Sequence, residues 1–162
     1  MPRKNIDFLI EIMPEIFKST ARQLVIVGAN KWKNSYLNKI TGRNDYPHKA
    51  LVFCNYVSDE ELVELYNYAD CFVSASLNEG FGMPQLEAML CGCPIVTSHN
   101  SAMIEVAANK PGAYTIEGYD KTVWVEKIKV VINKDERCID TAHLEQYDWN
   151  KIMPRVVEYI NH

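Results

Sequence analysis

Residues 71–97 read CFVSASLNEGFGMPQLEAMLCGCPIVT. Cys71–Ala75 is a short apolar run of strand length, and the polar stretch after it carries two glycines, Gly80 and Gly82. Pro84 then opens a helix over 84–91, in a first turn where a missing N–H costs nothing. Pro94–Thr97 is strand-like again. A strand, a loop, a helix and a second strand in so few residues make a parallel pair joined by a crossover.

The same alternation extends both ways. Leu24–Val27, ending at Gly28, reads as a buried strand, and Leu51–Cys54 as the next one. Ala113–Ile116 is a fifth. Ile6, Leu9, Ile10, Met13, Ile16 and Phe17 recur at helical spacing, which predicts an amphipathic helix over 6–18. A less regular helix is expected around 32–41. Ser58 and Glu61 form a capping box ahead of Leu62, Leu65, Tyr66 and Ala69. Ser101 is expected to cap a short helix to about Ala108. Further helices are expected over about 120–133, around Trp124 and Ile128, and over 149–160, where Pro154 kinks the helix or delays its start. Strands alternating with helices give an α/β domain with a doubly wound parallel sheet.

The chain has 162 residues, 48% hydrophobic and 23% charged, with a formal net charge of -4. That length fits one domain with a proper core, and the composition excludes a wholly disordered chain. No apolar run approaches the length of a membrane span. Met1–Asn5 lack the features of a secretion signal, so a cytoplasmic chain, peripheral to a membrane at most, is expected. Residues 1–50 carry nine Lys and Arg against four Asp and Glu, while residues 51–162 carry eight against seventeen. Lys31, Lys33, Lys39 and Lys49 read as a solvated face, and without a dense basic stripe no nucleic-acid partner is expected. Five cysteines, at 54, 71, 91, 93 and 138, argue against a disulfide framework. Cys91 and Cys93 have one residue between them and no second pair to complete a zinc site. Cys54 and Cys71 read as small buried hydrophobes. The carboxylates of Asp59, Glu60 and Glu61 suit a helix N-terminus and do not indicate a metal.

A doubly wound sheet binds ligands beyond the carboxyl ends of its strands. There, Gly80 and Gly82 let the backbone turn tightly and admit a ligand closely. The N–H groups at the start of the following helix form a ready site for phosphate oxygens. Pro84 has no N–H, so the donors come from Gly82, Met83 and their neighbours. Glu87 lies among Leu86, Ala88, Met89 and Leu90. Two readings of it stand: a carboxylate partnered by ribose hydroxyls, or a surface glutamate on a helix. The loop by itself does not name a reaction.

Glu79 and Glu87 have seven residues between them, and the whole stretch resembles the E-x7-E segment of retaining GT-B glycosyltransferases, above all family 4, the glycosyl transferases group 1 type. Glu87–Val96, EAMLCGCPIV, resembles the run that follows in that family. Tyr56–Leu62, Ala69–Val73, Ile104–Val106 and Pro2–Asn5 are similar to its flanking segments. The likeness spans nearly the whole chain. It implies one Rossmann-like half of a GT-B fold, a single domain over 1–162 that binds a nucleotide sugar.

The resemblance also implies roles. Glu79 is the catalytic carboxylate and contacts the transferred sugar. The backbone at Gly80, Phe81, Gly82 and Met83 contacts sugar and diphosphate, Glu87 holds the ribose, and Lys4 neutralises the diphosphate. Tyr56 and Val57 line the base pocket. The reaction implied is transfer of a hexose, with retention of configuration, to a glycan or lipid-linked acceptor. No cofactor is implied, the nucleotide sugar being substrate, and no metal, since no Asp-x-Asp triplet is present. His99 reads as a loop hydrogen-bonding residue rather than a base.

The chain departs from the family in three ways. An N-terminal acceptor domain and the first strand of the sheet are expected to be missing, and the family's phosphate-binding arginine would precede Met1, with Arg3 only a substitute. The expectation is therefore a donor domain that works with an acceptor domain, excised from one chain or supplied by another. The alternative is a non-catalytic nucleotide-sugar-binding or interaction domain. A flavodoxin-like or response-regulator domain would need a flavin loop or an acidic phosphorylation pocket, and neither is present.

Overall fold

The computed structural model describes residues 2–28, 39–107, 110–134, 137, 142–148 and 150–154. Helix α1 spans Ile6–Thr20 and buries Phe8, Leu9, Ile10, Ile12, Met13 and Ile16. It ends at Ala21, whose left-handed backbone lets its N–H return to Phe17 O at 2.8 Å. Pro14 sits inside α1. A proline there cannot donate to the carbonyl four residues back, which is that of Ile10. Tyr46 supplies the bond instead: its buried hydroxyl donates to Ile10 O at 2.9 Å. Burial pushes that hydroxyl's pKa up to about 12.

The strands are β1 (Leu24–Val27), β2 (Leu51–Cys54), β3 (Phe72–Ser74), β4 (Ile95–Ser98) and β5 (Ala113–Ile116). All pairings are parallel. β1 pairs with β2, Leu24 opposite Leu51, and β4 lies between β3 and β5, with Val96 opposite Val73 and Tyr114. Helices α2 (Asp59–Tyr68), α3 (Met83–Leu90) and α4 (Ser101–Ala107) lie in the crossovers that lead into β3, β4 and β5, and α5 spans Lys121–Lys134. The α/β class and the five strands are as expected, with β3 shorter than its apolar run. Among the described residues the continuous sheet is not observed: β1–β2 and β3–β4–β5 are separate sheets.

The core has two layers. α1 and α5 cover one face, where Phe8, Met13, Trp124 and Ile128 cluster with Val96 and Ile116. The opposite face packs Leu86, Met89 and Val106 against Ile95. Neighbouring residues of β4 thus point to opposite layers, and all four of its residues are buried. Trp124 is fully buried and its Nε1–H donates to Gly118 O at 3.0 Å.

The capping box of α2 forms on both sides: Glu61 N–H donates to Ser58 Oγ at 3.2 Å, and Ser58 N–H to Glu61 Oε2 at 2.7 Å. Three expectations need correction. Ser101 is the first residue of α4 rather than its cap, and Ile104 N–H bonds Asn100 O one position earlier. Val25 and Val27 are 43% and 37% exposed, so β1 is only partly buried. Cys54 and Cys71 are half-buried, whereas Cys93 is the buried thiol, and Cys138 lies outside the described residues. Leu90 is exposed, while Gln85 on the same helix is buried. The helices expected at 32–41 and 149–160 fall largely outside the described residues, which are helical at 39–41 and 150–154. No described helix is long and apolar enough to cross a membrane.

Candidate functional site

The loop after β3 is fixed by its second residue, Ser76. The Ser76 carbonyl accepts from Ser98 Oγ at 2.6 Å, Asn100 Nδ2 at 2.9 Å and Tyr119 OH at 3.0 Å. Three donors on one fully buried carbonyl hold the chain where it leaves the sheet. Leu77 N–H then donates to Arg3 O at 2.8 Å, which ties the start of the chain to this loop.

Glu79 is 8% exposed. One of its oxygens, Oε1, accepts from Lys4 Nζ and from Ser76 Oγ, the latter at 2.9 Å. Arg3 lies 4.0 Å from the other oxygen. Burial pushes the Glu79 carboxyl up, but the bonds from Lys4 and Ser76 and the charges of Lys4 and Arg3 outweigh it. The net effect holds it below the usual carboxylate value. A buried, ionised carboxylate is thus fixed beyond the carboxyl end of β3.

Gly82 forms the N-cap of α3 with φ +84°, in the left-handed region that favours glycine. Gln85 N–H and Leu86 N–H both bond Gly82 O, at 3.0 and 3.2 Å. No side chain caps this helix, and Pro84 has no N–H, which leaves the N–H groups of Gly82 and Met83 to face the loop. Gly80 differs from expectation: its φ is not positive, and a Cβ there would meet nothing within 4 Å.

Glu87 lies half-buried on α3, where Tyr66 OH donates to Oε2 at 3.3 Å. Burial, then the Glu87 charge, raises the Tyr66 hydroxyl well above an ordinary phenol. The sequence leaves open whether Glu87 is buried or on the surface; it lies between the two, and Glu79 is the buried glutamate. A lysine 75 positions away, brought in by the packing of α1, makes burial of Glu79 tolerable.

Lys4, Glu79, Gly82 and Glu87 all line one cleft of 760 Å³. Phe81 and Met83 are 37% and 51% exposed on the outer side of the loop, and the Phe81 ring packs edge-on against Tyr147 at 5.2 Å. Tyr56 is 89% exposed, and neither it nor Val57 lines the cleft. His99 behaves as expected, with Nδ1 3.0 Å from Thr115 Oγ1.

Sequence reasoning missed Ser76, Ser98, Asn100, Tyr119, Tyr66 and Gln85. Gln85 is 1% exposed, and its Nε2 donates to Met103 O at 3.1 Å. Its Oε1 has no donor among the described residues. Only the strand-end position of the two serines hinted at such a network. Among the described residues, no group of three or more His, Cys, Asp or Glu is placed to hold a metal ion.

The family model of the glycosyl transferases group 1 matches residues 1–144. A glycosyltransferase of Methanocaldococcus jannaschii, itself uncharacterized, is 29% identical over 96% of this chain and 41% of its own length. The O-antigen chain mannosyltransferase B of Escherichia coli is 36% identical over 67% of this chain and 29% of its own. The chain thus spans less than half the length of these relatives. The crystal structure of Staphylococcus aureus TarM with UDP superposes with a TM-score of 0.72, at 23% identity, over 83% of this chain and 27% of that one, a likeness of fold. The match along most of the sequence and the shared parallel α/β architecture agree: this chain belongs to the glycosyl transferases group 1 family, on a Rossmann-like domain of the GT-B type.

Proposed function

We propose that residues 1–162 form the donor domain of a retaining hexosyltransferase, which binds a nucleoside-diphosphate sugar at the start of α3 and acts together with an acceptor domain. The observation that carries this reading is the buried, ionised Glu79 beside the uncapped N-terminus of α3. Its free lone pairs suit sugar hydroxyls, while the N–H groups of Gly82 and Met83 suit phosphate oxygens. The backbone of Gly80 and Phe81 completes the loop over the sugar.

In the reaction, the bond from the anomeric carbon to the diphosphate oxygen breaks. A bond to the acceptor hydroxyl oxygen forms on the same face, and that hydroxyl's proton passes to the departing phosphate. Negative charge grows on the leaving group, and donors already aimed at it lower the barrier. Lys4 supplies one positive charge there and the α3 terminus supplies partial positive charge. Lys4 is bound to Glu79, so the two act as one unit, the carboxylate on the sugar and the ammonium on the diphosphate. Glu87, oriented by Tyr66, accepts from the ribose hydroxyls. Tyr56 and Val57, on the loop after β2 and outside the cleft, flank the base where it extends beyond the cleft. No metal is required in this scheme, because Lys4 and the helix terminus offset the charge. The acceptor, a glycan or a lipid-linked sugar, approaches from the acceptor domain on the cytoplasmic side of a membrane.

Titration with UDP-, GDP- and ADP-sugars, read by calorimetry and thermal shift, tests the reading. The mannosyl donor comes first, given the resemblance to O-antigen chain mannosyltransferase B. A ligand that binds the folded state raises apparent stability, by about 2.7 kcal/mol at a hundredfold excess over Kd. Glu87→Ala and Lys4→Ala are expected to weaken nucleoside-diphosphate binding without unfolding the domain. Variants that bind like the parent would overturn both assignments.

A further inference from the structure

Tyr119 lies in the short turn between β5 and α5, and both of its neighbours are fixed. Gly118 takes a left-handed φ of +68°, and its carbonyl accepts from Trp124 Nε1 at 3.0 Å. Asp120 caps α5: its Oδ1 accepts from Thr122 N–H at 2.9 Å and from Val123 N–H at 3.1 Å. The Tyr119 ring stacks on Trp124, 7° from parallel at 6.2 Å, and meets Phe8 of α1 edge-on at 5.5 Å. Trp124 and Phe8 are both buried, so a half-exposed tyrosine rests on the core of the molecule. Its hydroxyl reaches from that stack to Ser76 O at 3.0 Å.

The three donors on Ser76 O are not equivalent. Ser98 Oγ and Asn100 Nδ2 come from the end of β4 and the residues after it, and they bond one another at 3.1 Å. Tyr119 comes from beyond β5 and brings a contact with α1. That contact is with Phe8, in the first turn of α1 and four residues after Lys4. Tyr119 therefore touches both supports of the Lys4–Glu79 pair. One is Ser76, whose Oγ donates to Glu79 Oε1, and the other is the helix that follows Lys4. Tyr119 itself does not line the cleft. A tyrosine side chain has few torsions to lose, and here the stack already holds its ring.

We propose that Tyr119 is a positioning residue for the Lys4–Glu79 pair: its hydroxyl holds the Ser76 loop and its ring holds the start of α1, so that one side chain sets how the carboxylate and the ammonium meet. It acts through Ser76 and Phe8 and touches no ligand. The consequence for ligand binding rests on the donor-domain reading; the consequence for the pair does not. Without the hydroxyl, Ser76 O keeps two donors, which match its two lone pairs. The loop then stays folded but loses its tie to the β5 side, and the Ser76 bond to Glu79 loosens. The charges of Lys4 and Arg3 still face Glu79.

The test uses Tyr119→Phe in the 162-residue chain, which keeps the ring and removes the hydroxyl. Two quantities are read: the titration of the Glu79 carboxyl by NMR without ligand, and Kd for UDP-glucose, GDP-mannose and ADP-glucose by calorimetry. The Glu79 midpoint is expected to rise from its depressed value toward 4.5. For whichever sugar nucleotide binds the parent, Kd is expected to increase about three- to tenfold. The melting temperature is expected to stay within about 3 °C of the parent. Val131→Ala, a buried truncation on α5 away from the cleft lining, is expected to lower the melting temperature and leave both quantities unchanged. The proposal is overturned if Tyr119→Phe unfolds, if its Glu79 titrates as in the parent, or if Val131→Ala moves that midpoint as much. It is also overturned if the sugar nucleotide that binds the parent binds Tyr119→Phe equally well. A parent that binds none of the three counts against the donor-domain reading alone, and the Glu79 titration then decides the role of Tyr119.

Discussion

The half of the molecule built on β3, β4 and β5 and the half built on β1 and β2 use the same parts to different effect. In the first, β4 has a strand on either side and helices on both faces, and each of its residues is buried. In the second, β1 has one partner among the described residues and exposes Val25 and Val27. The candidate site sits at the seam. Glu79 hangs from the first half through Ser76, while Lys4 arrives at the head of α1. A carboxylate is thus held by a rigid network on one side and by a cation from a less complete neighbour on the other.

The comparison breaks first if the halves prove equally tolerant. Trp124→Ala, in the shared core, is expected to cost about 3–5 kcal/mol in denaturant unfolding, as large core truncations do. Val25→Ala on the open edge is expected to cost less than about 1 kcal/mol, within the range of partly exposed positions. Similar losses at the two positions would remove the contrast.

Tyr46→Phe sharpens it from inside the β1 half. The substitution strands the Ile10 carbonyl that Pro14 cannot serve, an expected loss of about 1–3 kcal/mol by chemical denaturation. If Pro14→Ala is made in the same chain, a backbone N–H becomes available and most of that loss should be recovered. Ser58→Ala removes one side of the capping box and is expected to cost about 1 kcal/mol.

The effect at Glu79 is read against pH. Its carboxyl is held below the usual value in the folded chain, so the stabilisation is present above about pH 4.5, the ordinary value, and is lost as pH falls through the depressed one. The parent should therefore lose melting temperature more steeply below pH 4.5 than Glu79→Gln does. Parallel pH profiles would mean that the carboxylate is not held in this way.

The strands and helices were legible because they depend on local pattern. Apolar runs of four residues and a 3.6-residue period survive without knowledge of their partners, and Ser58 with Glu61 closes its own cap. What was not legible depends on distance along the chain. Whether Glu79 or Glu87 is the buried glutamate follows from Lys4 and Ser76 on one side and Tyr66 on the other, and nothing near Glu79 in the sequence announces a lysine 75 residues earlier. The exposure of Val25 and Val27 has the same origin, since a β-branched run reads as a buried strand whether or not a second neighbour lies beside it. Pro14 is the converse case: a helix breaker tolerated because a remote tyrosine takes over the lost bond.

Amide shift mapping during titration with a nucleoside-diphosphate sugar tests the central claim most directly. The donor-domain account predicts saturable shifts concentrated at Gly80, Gly82 and Met83, weakened by Glu87→Ala and by Lys4→Ala. Saturable binding whose shifts fall elsewhere, with those three amides unmoved, would contradict it.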